Sequence, residues 1–82
     1  MDYTPLQSDM EKLDLHGKTY YETKILVSDF IEKNLDRLPI QIITGNSVHM
    51  QNILTAVIGN HNLRMVPSHS KNLGSYIITK QL

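Results

Sequence analysis

The sequence predicts an α/β two-layer sandwich of order βαβαββ, a mixed four-stranded sheet with two helices on one face. Three observations carry this expectation. Two amphipathic helix patterns each follow a short strand pattern, and two further strand patterns close the chain. Right-handed crossovers then make the first three strands parallel and the last antiparallel. Length fixes the scale: 82 residues form one domain, because a chain this short buries only about 60% of its unfolded surface and cannot fill two cores.

Each element has its own signal. Residues 1–11 lack periodicity and contain Pro5, so they read as an arm, flexible or docked on the surface, before a domain spanning 12–82. Lys12 to His16 form the first strand, with Leu13 and Leu15 on one face. Thr19 opens the first helix, because Thr19 and Glu22 fit the reciprocal capping pattern. Tyr20, Thr23, Leu26, Val27, Phe30 and Ile31 share the core face of that helix, which runs to about Asp36 before Pro39 stops it. Tyr21 and Ile25 lie off the stripe. The β-branched run Ile40 to Thr44 suits a central strand. Met50, Ile53, Leu54, Val57 and Ile58 recur at helical spacing, giving a second helix from Val48 to Ile58 that Gly59 terminates. "LRMV" and "SYIIT" are the last two strands, joined by a long polar loop from Ser68 to Gly74.

Composition narrows the setting. At 40% apolar and 20% charged the chain has the make-up of a globular domain, and 6% aromatic residues argue against an aromatic stacking platform. Without cysteine it has no disulfide framework or thiolate metal site, and a reducing cytoplasm is the expected compartment. No apolar run approaches the roughly 20 residues that span a bilayer, and the acidic start has no signal-peptide pattern. Net charge is zero, yet all eight acids lie within residues 1–36 beside four lysines. From Arg37 onward the charges are Arg37, Arg64, Lys71 and Lys80, joined by His49, His61 and His69. That asymmetry allows a local positive surface for a phosphate backbone; it equally fits acids that solvate a helix face.

Strand alternation places Asp14 and His16 together on the face opposite the helices, with Gly17 ending the strand where open α/β sheets place ligands. "TGNSVH" follows the second parallel strand and belongs at the same edge. There Asn46 or Ser47 caps the second helix, the free amides form a candidate phosphate site, and His49 in the first turn reaches a phosphate beside His16. Ordinary roles compete: Asp14 fixing a loop, His16 bonding in a polar edge, His49 a surface histidine. Met50 fits packing better than chemistry.

Taken together, "LDLHG", Glu22 in the first helix, "ITGNSVH" and "NLGSYIIT" resemble the Smr (small MutS-related) domain from Leu13 to about Lys80. Leu13, Asp14, His16, Gly17, Thr44, Gly45 and His49 match the family's LDxH and TGxGxH elements, and Gly74 its glycine before the last strand. Ser47 stands where a second glycine is usual, and Asn46 where a basic residue is common. The resemblance implies endonuclease chemistry on DNA or RNA, including mRNA on ribosomes.

The mechanism expected is metal-independent RNA cleavage, with Asp14, His16 and His49 as catalytic residues and no cofactor. One histidine takes the proton of a ribose 2′-hydroxyl and the other side chain assists the leaving oxygen. Asp14 orients His16, while Gly17, Lys18, Thr44, Gly45, Asn46, Ser47 and Lys71 are the phosphate-binding candidates. Products would carry a 2′,3′-cyclic phosphate and a 5′-hydroxyl. The partner is nucleic acid, RNA before DNA, with a ribosome or larger assembly as a further candidate and no membrane. The alternative keeps the fold without cleavage: an inactive module that binds RNA, DNA or a ribosome. Metal ligation by Asp14, His16 and His49 would instead leave a 5′-phosphate, but three scattered donors form no metal motif.

Overall fold

The computed structural model describes residues 10–69 and 72–81. Residues 1–9 of the expected arm, and Lys71, lie outside them. The elements are β1 (Lys12–Asp14), α1 (Tyr20–Lys33), β2 (Ile40–Ile43), α2 (Val48–Asn60), β3 (Leu63–His69) and β4 (Asn72–Lys80), in the predicted βαβαββ order. The sheet order is β1-β2-β4-β3. β1 pairs parallel with β2, and β4 lies antiparallel between β2 and β3, so β1, β2 and β3 point one way and β4 the other. Two crossovers stepping in the same direction across the sheet put both helices on one face.

Side-chain alternation explains where the core sits. Ile40 and Ile42 of β2 are fully buried and pair with Ile78 and Tyr76 of β4, while Gln41 and Ile43 point to the other face. Over the buried face lie Val27 and Ile31 of α1 with Leu54, Val57 and Ile58 of α2, and Leu15 closes the end after β1. Full burial of each such side chain contributes about 1.5–3 kcal/mol.

The helices are tied at both ends. Near their starts Thr23 Oγ1 donates to Met50 Sδ at 3.0 Å, and near their ends His61 Nε2 lies 3.6 Å from a Glu32 carboxylate oxygen. The helices therefore run side by side, and both begin at the carboxyl edge of the parallel strands.

Several boundaries differ from expectation for local reasons. β1 stops at Asp14, although the Leu15 amide still donates to Ile43 O at 2.8 Å; His16 sits in the following turn rather than in the strand. α1 ends at Lys33, short of Asp36, because buried Asn34 closes it: its amide donates to Ile31 O and its Nδ2 to Phe30 O. α2 continues past Gly59 to Asn60, and the reversal falls on Asn62, which adopts a positive φ of 57°. The last hairpin is tighter than the predicted long loop, with strands reaching His69 and Asn72. Polar residues extend those strands because they bond across them: Ser75 Oγ meets Gln41 Nε2 at 2.6 Å and Ser68 Oγ at 2.8 Å. Pro67 is tolerated because β3 is an edge strand. Tyr20, expected on the core stripe, is 51% exposed.

Candidate functional site

Two turns at the carboxyl edge of β1 and β2 build the site. Gly17 and Gly45 have φ of +83° and +69°, a region that costs other residues strain, and a Cβ at either would meet no atom within 4 Å. Glycine is thus needed for the turns themselves rather than for packing. The second turn is anchored to β4: Gly74 O accepts both the Thr44 amide at 2.8 Å and the Gly45 amide at 3.0 Å. Gly74 therefore acts from inside β4, not ahead of it.

Between the turns lies a cleft of about 340 Å³ lined by Leu15, His16, Gly17, Lys18, Tyr20, Thr44, Gly45, Asn46, Ser47 and Met50. Every expected phosphate-binding residue among those described is part of this lining. Their availability differs. The Thr44 hydroxyl is buried and donates to Gly45 O at 2.9 Å, and the Gly45 amide is taken by Gly74, so both shape the turn. Ser47 is the N-cap of α2, its Oγ accepting from the Met50 amide at 3.1 Å. The next amides, of Val48 and His49, have no carbonyl one turn back within α2 to accept them. α2 carries no acidic side chain, so none of its own residues offsets the partial positive charge at its start. Lys18 adds a full cation, which also acts on the Asp14 and Glu22 carboxylates.

Asp14 sits beside this lining and acts on it through His16. Its carboxylate accepts the His16 amide at 3.0 Å, and His16 Nδ1 lies 3.4 Å from both carboxylate oxygens. The short contact is the backbone one, so Asp14 first of all fixes the turn. Side-chain exposures of 78% for His16 and 54% for Asp14 leave their mutual attraction screened by water. The His16 amide, helped by the imidazole and Lys18, holds the Asp14 carboxyl below the usual aspartate range. Nε2 of His16 makes no hydrogen bond among the described residues and is the nitrogen open to a ligand.

His49 is placed differently from the expectation. It does not line the cleft; its ring stacks on Tyr20, with centroids 4.0 Å apart and planes 9° from parallel. Tyr20 is the site residue that sequence reasoning missed. Its helical phase assigned it to the core, and only the pairing of two helix starts brings it to His49. Met50 is buried beneath, as its spacing predicted. Among the described residues no group of three or more His, Cys, Asp and Glu side chains is placed to hold a metal ion, and no helix is long and apolar enough to cross a membrane. No protein-family model, curated protein or solved structure matches the chain.

Proposed function

We propose that this chain is a nucleic-acid-binding, Smr-like endonuclease that cleaves RNA by metal-independent acid–base chemistry. One observation carries the reading: the turns after β1 and β2 enclose a single cleft, with His16 in its wall and Asp14 fixing the His16 backbone. A phosphodiester there would face the Lys18 ammonium and lie near the start of α2, whose partial positive charge favours an anion. His16 Nε2 takes the proton of the ribose 2′-hydroxyl. The 2′-oxygen attacks phosphorus, the bond to the 5′-oxygen breaks, and that oxygen leaves with a proton from a second acid; His49 is the candidate, a role that requires its ring to leave the Tyr20 stack. The products are a 2′,3′-cyclic phosphate and a 5′-hydroxyl.

The second reading, a binding module for RNA, DNA or a ribosome, draws on one observation. Among the described residues His16 is the one histidine in the cleft lining, while the His49 ring is engaged by Tyr20. A cysteine-free chain suits a reducing compartment, and we place the activity in the cytoplasm.

Purified wild type and His16→Ala, incubated with labelled single-stranded RNA and with nicked and supercoiled DNA, with and without chelator, test the proposal. Wild type cuts RNA in chelator and His16→Ala does not. Equal cleavage by both removes His16 from the reaction; a chelator-sensitive cut leaving a 5′-phosphate overturns the mechanism; binding without cutting supports the module.

A further inference from the structure

The wall formed by Tyr20 and His49 has a second side. Where Tyr20 lines the phosphate cleft, His49 lines a groove of about 340 Å³ between α1 and α2, together with Lys24, Asn52, Ile53, Ala56 and Asn60. The two depressions are thus neighbours separated by one stacked pair of rings. Along α2 the groove residues recur every three or four positions from His49 to Asn60, a rise of roughly 16 Å. The floor is apolar, supplied by half-buried Ile53 with exposed Ala56 beside it. The rim is polar: two asparagine amides, each with donors and an acceptor, and the Lys24 ammonium. The groove has no acidic lining residue, and Lys24 has no ion-pair partner among the described residues. A flat, partly polar ring carried on a phosphate matches these walls better than an aliphatic chain or a second acidic surface does.

We infer that the groove between α1 and α2 is a nucleobase subsite, receiving the base next to the phosphate held in the Gly17–Gly45 cleft. The inference rests on the proposed nucleic-acid site and adds to it where substrate selection takes place. Ile53 and Ala56 give apolar contact to the ring faces, and Asn52 and Asn60 offer hydrogen bonds to its edge, as single-stranded nucleic acids are commonly read. The Tyr20–His49 pair partitions base from phosphate, so the nucleotide straddles the two helix starts.

Fluorescence anisotropy with a labelled single-stranded 2′-O-methyl RNA of about eight nucleotides, which resists 2′-hydroxyl chemistry, separates binding from cleavage. A set of oligonucleotides with one abasic position moved along the chain reports the subsite, and competition by inorganic phosphate reports the cleft. Loss of a single base at one position is expected to weaken wild-type binding about tenfold. Ala56→Trp, at an exposed helix position, fills the groove and is expected to weaken the intact oligonucleotide by a similar factor while leaving the abasic one unchanged. Asn52→Ala gives a smaller, base-dependent loss and serves if circular dichroism shows Ala56→Trp misfolded. Equal wild-type affinity for intact and abasic chains, or variants that weaken both equally, overturns the subsite but not the cleft. Wild type that binds neither oligonucleotide, with no competition by phosphate, overturns both.

Discussion

The rings of Tyr20 and His49 stack with centroids 4.0 Å apart and an interplanar angle of 9°. Each belongs to the first turn of its helix, so this contact sets how the two helix starts meet over the sheet edge. An aromatic pair of this kind adds about 0.5–1.5 kcal/mol beyond area burial. Tyr20→Ala is therefore expected to lower the unfolding free energy by that order, read as a lower denaturation midpoint at an unchanged m-value, and Tyr20→Phe to stay close to wild type. A Tyr20→Phe loss as large as that of alanine would assign the effect to the hydroxyl instead of the ring.

Asp14 makes two separable contacts with His16, one to the amide and one to Nδ1. Asparagine keeps an oxygen that accepts the amide but removes the charge beside the imidazole. On the proposed function, Asp14→Asn should thus preserve folding and RNA affinity while lowering kcat at least about tenfold, a reduction within the range that acid–base groups supply. A variant that loses KM and kcat together would show that Asp14 serves the turn alone.

The same turn and the α1 cap define an acid-sensitive pair. Asp14 is held below its usual pKa mainly by the His16 amide, and Glu22 mainly by the Thr19 amide of the capping box. For a carboxyl whose folded pKa is depressed, the unfolded chain takes up the proton first as pH falls. Its stabilisation is therefore complete above the unfolded value, about 3.9 for Asp and 4.3 for Glu, and is lost as pH falls through the lower folded value. Wild type should lose stability between about pH 4.5 and the folded values more steeply than the double variant Asp14→Asn, Glu22→Gln. Superimposable acid limbs would count against these contacts.

Much of this arrangement was legible in the chain because hydrophobic periodicity carries it. The β-branched run Ile40 to Thr44 marks a central strand, and Leu54, Val57 and Ile58 recur at helical spacing, so the element order and much of the core followed from local pattern, and the strand directions from crossover handedness. Boundaries set by side-chain hydrogen bonds were harder to see. Asn34 closes α1, and Ser68, Ser75 and Gln41 extend the last hairpin through polar contacts that leave no hydrophobic signature. At the site, local spacing located the two glycine turns. It missed the Tyr20–His49 stack, which depends on two helices meeting in space.

The core makes a quantitative expectation. Leu54 is fully buried among both helices and the sheet. Leu54→Ala removes its transfer energy and leaves a cavity, costing about 2–5 kcal/mol. Domains of this size commonly have a total stability of that order or slightly more. Extensive unfolding at 37 °C by circular dichroism is expected, against a modest shift for Ile53→Ala at the half-buried edge of the same helix.

Ser47 gives the sharpest test of how the cleft relates to the resemblance that suggested it. Its hydroxyl accepts the Met50 amide and caps α2, and Ser47 forms part of the cleft lining. The cap hydroxyl stabilises by about 1 kcal/mol over alanine, yet glycine at an N-cap costs only a few tenths. Ser47→Gly, the change that would bring the turn closer to the proposed resemblance, is therefore expected to keep stability nearly intact. It would also remove a side chain from the cleft lining beside the start of α2, so on the proposed function affinity for RNA and for competing phosphate should hold or rise. Ser47→Ala should do the reverse, losing stability while leaving phosphate access unchanged. Weaker phosphate binding by a well-folded Ser47→Gly would mean that the serine hydroxyl itself is a ligand and that the cleft binds phosphate through side chains more than through the amides of α2.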